Sequence, residues 1–256
     1  MIDLYNGDCL EVMDKLIDEG VEVDLTVTSP PYDDLRDYNS VVDFNKVARK
    51  LYRITKEGGI VVWNVNDKII NGSKSLTSFK QAIMFAEVGF NVNDVMIWEK
   101  TNPMPQVKQP RYRQVFEYMF IFSKGKPKTF NPEMVDCKTS GQKYNSTVKK
   151  ITKNNKRVKK SFKINKKKKN SNIWKFAVAQ NKTNHTAVFP LELPLRHIKS
   201  WSNKSHTVLD PFMGSGTTGI ACKELDRNFI GIELDKKYFN IAKDRIENHK
   251  VQESMF

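Results

Sequence analysis

Four consecutive residues, Ser29-Pro30-Pro31-Tyr32, could act on a planar group that carries an amine. They follow Val23-Asp24-Leu25-Thr26-Val27-Thr28, a compact β-branched run that reads as a buried strand. Open α/β sheets place their ligands just past the carboxyl ends of such strands. Two prolines fix φ at both positions and Pro30 restrains Ser29, so the turn is stiff. It holds a hydroxyl, main-chain carbonyls and an aromatic ring in fixed relation. The ring can stack on a planar face while the Ser29 oxygen and a nearby carbonyl accept two amine hydrogens. A simple strand terminator with a half-buried tyrosine would use the same residues, so the motif alone leaves both readings open.

A second cluster is Asp210-Pro211-Phe212-Met213-Gly214-Ser215-Gly216-Thr217-Thr218, between a strand and a helix. Gly214 and Gly216 permit a tight turn and close approach of backbone to a ligand. The N-terminus of the following helix offers N–H groups to an anionic group such as a carboxylate. One strand later comes Gly231-Ile232-Glu233, and an acid at that place binds a ribose diol in nucleotide-type sites. A turn or cap role for Asp210 and a surface role for Glu233 are the plainer alternatives.

The two clusters together resemble the signature of the N4-cytosine/N6-adenine DNA methyltransferases, whose catalytic motif is (D/N/S)PP(Y/F) and whose cofactor motif ends in FxGxG. The order here, catalytic motif first, basic segment in the middle and cofactor motif near the C-terminus, is similar to the permuted β group. Further pieces follow the family's order: Gly7-Asp8-Cys9-Leu10; Leu51 to Gly59; Trp98 to Pro103; Tyr118 to Gly125; and His185-Thr186-Ala187-Val188-Phe189-Pro190. The resemblance implies transfer of a methyl group from S-adenosylmethionine to the exocyclic amine of a base flipped out of double-stranded DNA. It assigns catalysis to Ser29, Pro30, Pro31 and Tyr32. It assigns the cofactor to Asp8, Thr28, Phe189, Pro190, Asp210, Phe212, Gly214, Gly216, Thr217, Thr218 and Glu233, with Glu233 on the ribose and Asp8 near the adenine. Serine in the first motif position is typical of the N4-cytosine enzymes and aspartate of the N6-adenine enzymes, so cytosine N4 is expected, with adenine N6 as the alternative. A cognate restriction endonuclease and a homodimer follow by analogy with the family. A dinucleotide dehydrogenase does not fit, because its Gly-rich loop would open the first βα unit. A methyltransferase of RNA or of a protein glutamine, or a non-catalytic binder on the same fold, remain the other classes.

Strand-like and helix-like patterns alternate on both sides of the middle segment. Helices are expected at 11–17, 44–54, 78–88, 191–202, 217–225 and 236–247, and strands at 23–28, 60–63, 95–98, 115–122, 207–210 and 229–233. The expected fold is therefore α/β: a Rossmann-like methyltransferase core with a mostly parallel, doubly wound sheet in permuted order. Both loops must then leave the same edge of that sheet. The expected division is 1–124 for the catalytic half, 125–182 for a basic insertion and 183–256 for the cofactor half.

The net charge is +14, and 19 Lys or Arg against two acids lie between Lys124 and Lys182. A confined cationic stretch is the electrostatic footprint of a polyphosphate partner, although a solvated Lys-rich insertion has the same composition. Lys156, Arg157, Lys159, Lys160 and Lys166, Lys167, Lys168, Lys169 are the expected DNA contacts, while Tyr144, Asn145, Phe162, Asn165 and Trp174 could meet bases, and Phe162 and Trp174 could equally pack the insertion onto the core. Three widely spaced cysteines and four histidines show no zinc spacing, so no metal is expected. No apolar run reaches transmembrane length, and Met1 to Tyr5 lacks the features of a signal peptide, so a cytoplasmic protein is expected.

Overall fold

The computed structural model describes residues 1–31, 42–103, 110–149, 157–178 and 190–251. In chain order the first elements are β1 (Ile2–Asn6), α1 (Cys9–Asp18), β2 (Val23–Thr28), α2 (Phe44–Ile54) and β3 (Thr55–Val65). They are followed by β4 (Ile69–Ile70), β5 (Ser73–Lys74), α3 (Thr77–Val88), β6 (Asn91–Lys100) and β7 (Phe116–Ser123). The middle of the chain forms β8 (Met134–Asp136), β9 (Lys143–Lys149), β10 (Arg157–Lys163), β11 (Lys167–Lys169) and β12 (Ile173–Phe176). The last elements are α4 (Glu192–Trp201), β13 (Thr207–Asp210), α5 (Thr217–Glu224), β14 (Asn228–Glu233) and α6 (Lys236–Glu247).

Two compact units result. One combines residues 1–131 with 172–256, and the other is 132–171. The first is built on an eight-stranded sheet in the order β1-β14-β13-β2-β3-β7-β6-β12. β7 is antiparallel to both its neighbours, and every other pairing in the sheet is parallel. Seven strands therefore end on one edge, as the mostly parallel doubly wound reading expects.

Both faces of the sheet are covered. Val23, Val61, Trp63, Phe122, Leu209 and Ile230 pack with Met13, Leu16, Val47, Leu51 and Phe85 from α1, α2 and α3. Leu25, Val27, Ile60, Val62, Met119, Ile121 and Val208 pack with Leu193, Ile198, Ile220, Ala242 and Ile246 from α4, α5 and α6. The alternation within β2 and β3 separates the two layers, because successive residues of a strand face opposite ways. Asp residues fix helix starts: Asp43 accepts from Asn45 N and Lys46 N, and Asp235 from Lys237 N and Tyr238 N.

Two strands of this sheet were not visible in the sequence pattern. β1 pairs with β14 from Ile2↔Phe229 to Asn6↔Glu233, although Ile2-Asp3-Leu4-Tyr5-Asn6 is short and only half-buried. β12 pairs with β6, and its Trp174 is buried between the His197 ring and the Arg196 guanidinium, 4.5 and 4.2 Å away. Trp174 thus packs the sheet face, and of the two roles its composition left open the packing one is observed.

The second unit holds antiparallel pairs β9–β10 and β8–β11. Its strands escape a periodicity reading because lysine occupies positions of both parities. Among the described residues no helix is long and apolar enough to cross a membrane.

Gly219 on α5 is where the helical layer is tightest. A Cβ there would stand 2.4 Å from Ile246 Cδ1 and 2.8 Å from Phe229 Cε1. Gly219→Ala should destabilise the protein by about 1–3 kcal/mol in urea denaturation, despite alanine's better helix propensity. A gain in stability would mean that α6 can move away.

Candidate active site

β2 and β13 are adjacent and parallel, with Val208 opposite Leu25 and Leu209 opposite Thr26. The Ser29 turn and the glycine loop therefore leave the same edge of the sheet from neighbouring strands, although 182 residues separate Thr28 from Asp210. A side-chain bond fastens them: Thr28 Oγ1 donates to Asp210 Oδ1 at 2.7 Å. Thr218 Oγ1 donates to Asp210 Oδ2 at 2.6 Å, and Phe212 N donates to Oδ1 at 3.1 Å. Asp210 is 1% exposed, and Thr28 and Thr218 are fully buried. These three residues brace the site from beneath.

Burial pushes the Asp210 carboxyl up to about 6 against the opposing pull of the hydrogen bonds from Thr218, Thr28 and Phe212 N–H, and the nearby Glu233 carboxylate adds to the rise. Above it, Ser29 and Pro31 are half-buried and Pro30 is buried. Tyr32 and Phe189 lie outside the described residues, as does Lys156. Pro190 is buried, and its carbonyl accepts from Leu193 N in the first turn of α4.

The two loop glycines have different tasks. Gly214 has φ +52°, and a Cβ there would meet only the Phe212 carbonyl oxygen, at 4.0 Å. Gly216 has φ +80°, and its Cβ would stand 2.9 Å from Ile246 Cδ1 and 3.0 Å from Ala242 Cβ. Gly214 therefore borders open space, whereas Gly216 admits helix α6. The sequence suggested a ligand-facing role for both.

The loop is held from two more directions. Glu233 Oε2 accepts from Gly214 N at 2.9 Å and Oε1 from Asp235 N at 3.0 Å. Arg245 on α6 reaches the Ser215 carbonyl, and its Nη1 donates to Ser215 Oγ at 2.7 Å. On the next strand Gly7 N donates to the Glu233 carbonyl oxygen, which brings the start of α1 beside β14. Asp8 is the N-cap of α1, accepting from Leu10 N at 2.7 Å. The N-cap of α5 is Gly216, which has no side chain to cap the first turn.

This arrangement fits S-adenosylmethionine. The space over Gly214 admits backbone-close binding, the α5 N-terminus suits its carboxylate, and Glu233 and Asp8 stand where β14 and β1 end. Cys9 is buried next to Asp8, and burial pushes its thiol up to about 12, so it supplies no thiolate.

Sequence reasoning missed a polar network on the other side of the Ser29 turn. β3 pairs Trp63 with Thr28, and the next residue, Asn64, donates to the buried Glu117 Oε2 at 2.9 Å. Lys100 Nζ donates to Glu117 Oε1 at 2.5 Å. The available signal was an acid opening the apolar run Tyr118 to Phe122. Lys166 to Lys169 are exposed on the second unit, and Arg157, Lys159 and Lys160 lie on the β10 backbone. Among the described residues no cluster of His, Cys, Asp and Glu could hold a metal.

A family model described as DNA methylase, N6/N4 methyltransferase, matches residues 23–244. M.BamHII, an orphan methyltransferase of Bacillus amyloliquefaciens, is 46% identical over 243 residues, covering 89% of each chain. The type II methyltransferase M.SmaI of Serratia marcescens is 28% identical over 94% of this chain and 89% of its own. Among solved structures, the M1.HpyAVI–SAM complex matches at a TM-score of 0.67 and 27% identity, over 96% of this chain and 100% of that one. The PvuII cytosine-N4-specific DNA methyltransferase shares the fold, with a TM-score of 0.70 at 20% identity over 98% and 88% of the two chains.

Asp210 binds its proton more tightly folded than unfolded. The stability it contributes is therefore complete below 3.8 and lost as pH rises through about 6. Urea denaturation between those limits should show the protein losing about 3 kcal/mol relative to its Asp210→Asn variant. A difference that does not vary with pH would contradict the buried-carboxyl account.

Proposed function

As the chain belongs to the N6/N4 DNA methylase family and is an S-adenosylmethionine-dependent DNA methyltransferase, we propose that it methylates N4 of cytosine. The placement of Ser29 carries this reading: it follows directly on Thr28, whose hydroxyl is bonded to the cofactor loop's Asp210. A serine hydroxyl can donate to the cytosine ring nitrogen as well as accept from the amine, which an ionised aspartate cannot do.

The exocyclic amine is a weak nucleophile because its lone pair is delocalised into the ring. Ser29 Oγ and the Pro30 carbonyl accept its two hydrogens, so the nitrogen can pyramidalise and direct that pair outward. The two prolines keep both acceptors in place without reorganisation. The base reaches this turn only by leaving the helix, and Tyr32 then stacks on its face. Gly214, the α5 N-terminus, Glu233 and Asp8 hold the cofactor, which supplies a sulfonium methyl already electrophilic enough to need alignment more than activation. The buried Cys9 thiol takes no part, so no covalent bond between enzyme and base forms.

The exposed Lys166–Lys169 block neutralises DNA phosphates, and residues 125–182 serve as the target-recognition region. The type II designation of the Serratia relative supports a cognate restriction endonuclease as counterpart, while the Bacillus relative is by name an orphan.

Digesting methylated DNA to nucleosides and weighing them should yield N4-methylcytosine, and N6-methyladenine would overturn the assignment. Ser29→Ala and Tyr32→Ala should each lower turnover by about 100-fold or more while S-adenosylmethionine binding by calorimetry persists. Loss of cofactor binding in both would contradict their roles. Replacing the four lysines of the block with glutamine should flatten the slope of log K against log salt by as much as about 3.6. An unchanged slope would make the block a solvated surface.

A further inference from the structure

The lysine-rich unit is one cationic surface, and a second lies on the edge of the sheet that carries the active site. β7 runs opposite to the other strands, so the residues that lead into it, Arg111-Tyr112-Arg113-Gln114, stand at the edge where β2 and β13 end. β7 is two strands from β2, about 10 Å across the sheet. That offset is comparable to the distance from a flipped base to its neighbours in the duplex.

The segment is anchored on both sides. Arg111 Nη2 donates to the Gly72 carbonyl at 2.8 Å, and Lys74 Nζ donates to Gln114 Oε1 at 3.0 Å. Gly72 forms the tip of the β4–β5 hairpin, whose two-residue turn Asn71-Gly72 has φ of 48° and 80°. Positive φ at both positions matches the twist of a tight hairpin, so the anchor is itself well defined.

Between these anchors the Tyr112 side chain is fully exposed, at 101%. Arg113 beside it is exposed. Among the described residues neither Arg111 nor Arg113 is paired with a carboxylate. Glu117 and Asp67 are engaged elsewhere: Glu117 with Asn64 and Lys100, and Asp67 with Ser78 N and Oγ. Arg111 and Arg113 thus flank in sequence an exposed aromatic ring, on a backbone fastened at Arg111 and Gln114. Such a ring gives up little conformational entropy when it stacks, and the cations suit a polyanion.

We infer that Arg111-Tyr112-Arg113 is a second DNA-contacting element of the enzyme. The arginines meet phosphates beside the target nucleotide, and the Tyr112 ring stacks on a base face uncovered when that nucleotide leaves the helix. The inference rests on DNA as the substrate and is independent of which base receives the methyl group.

The full-length enzyme is titrated onto a labelled duplex of about 30 base pairs between about 50 and 200 mM salt. Arg111→Gln/Arg113→Gln should lower the salt slope by about 1.8, and Arg113→Gln alone, which breaks no described contact within the protein, by about 0.9. With DNA from a methylation-free host as substrate, Tyr112→Ala should raise the KM for DNA roughly 5- to 150-fold, and Tyr112→Trp should restore it. Binding of S-adenosylmethionine should match that of the parent enzyme in every variant. Unchanged salt slopes, or a parental KM for DNA in Tyr112→Ala, would overturn the inference. So would a loss of cofactor binding alongside DNA binding, which would make the segment structural. An N6-methyladenine product would leave these results untouched while overturning the base assignment.

Discussion

The site depends on the buried carboxylate of Asp210. It is shared between the strand that delivers the Ser29 turn, through Thr28, and the helix that follows the glycine loop, through Thr218. Parallel pairing of β2 with β13 sets the two loops side by side, but a strand pair alone tolerates fraying at its ends. A charged acceptor with hydroxyl donors on both oxygens resists that, since hydrogen bonds to ionised groups are roughly twice as strong as neutral ones. Burial works against the charge, as the rise of the Asp210 carboxyl to about 6 indicates. The same low polarity strengthens each bond that the carboxylate makes.

Much of the layer architecture was legible in the sequence, because β2, β13 and β14 are short apolar runs bounded by turn residues and helices α2, α3 and α6 have 3.6-residue spacing. The two motifs were legible for a related reason: Pro-Pro and Gly-x-Gly constrain the backbone locally. Proximity was not. Nothing within either motif reports that Thr28 and Asp210 touch across 182 positions; the shared edge followed only from family resemblance and the parallel-sheet rule. The role of Gly216 was hidden similarly, since its close neighbours Ala242 and Ile246 belong to a helix that begins twenty residues later. Trp174 shows the opposite difficulty, for a tryptophan in a lysine-rich stretch looks like a surface residue until β12 is seen to join the sheet. Glu117 was lost because an acid at the mouth of a strand has no local signature of burial.

Charge is sorted along the working edge of the sheet. Asp8, Asp210 and Glu233 stand at the ends of β1, β13 and β14, on one side of the Ser29 turn. Arg111 and Arg113 stand in the segment that leads into β7, on the other side, where Lys100 at the end of β6 is paired with Glu117. A sulfonium cofactor with an ammonium group is favoured on the acidic side, and a phosphate backbone on the basic side. Each ligand is disfavoured by the other's half through like-charge repulsion.

That sorting also accounts for the chain's uneven charge. Outside the stretch from Lys124 to Lys182, acids outnumber Lys and Arg by 27 to 24, yet the core must accept a polyanion. A core made uniformly basic would favour DNA over its whole surface and weaken the cationic cofactor's site.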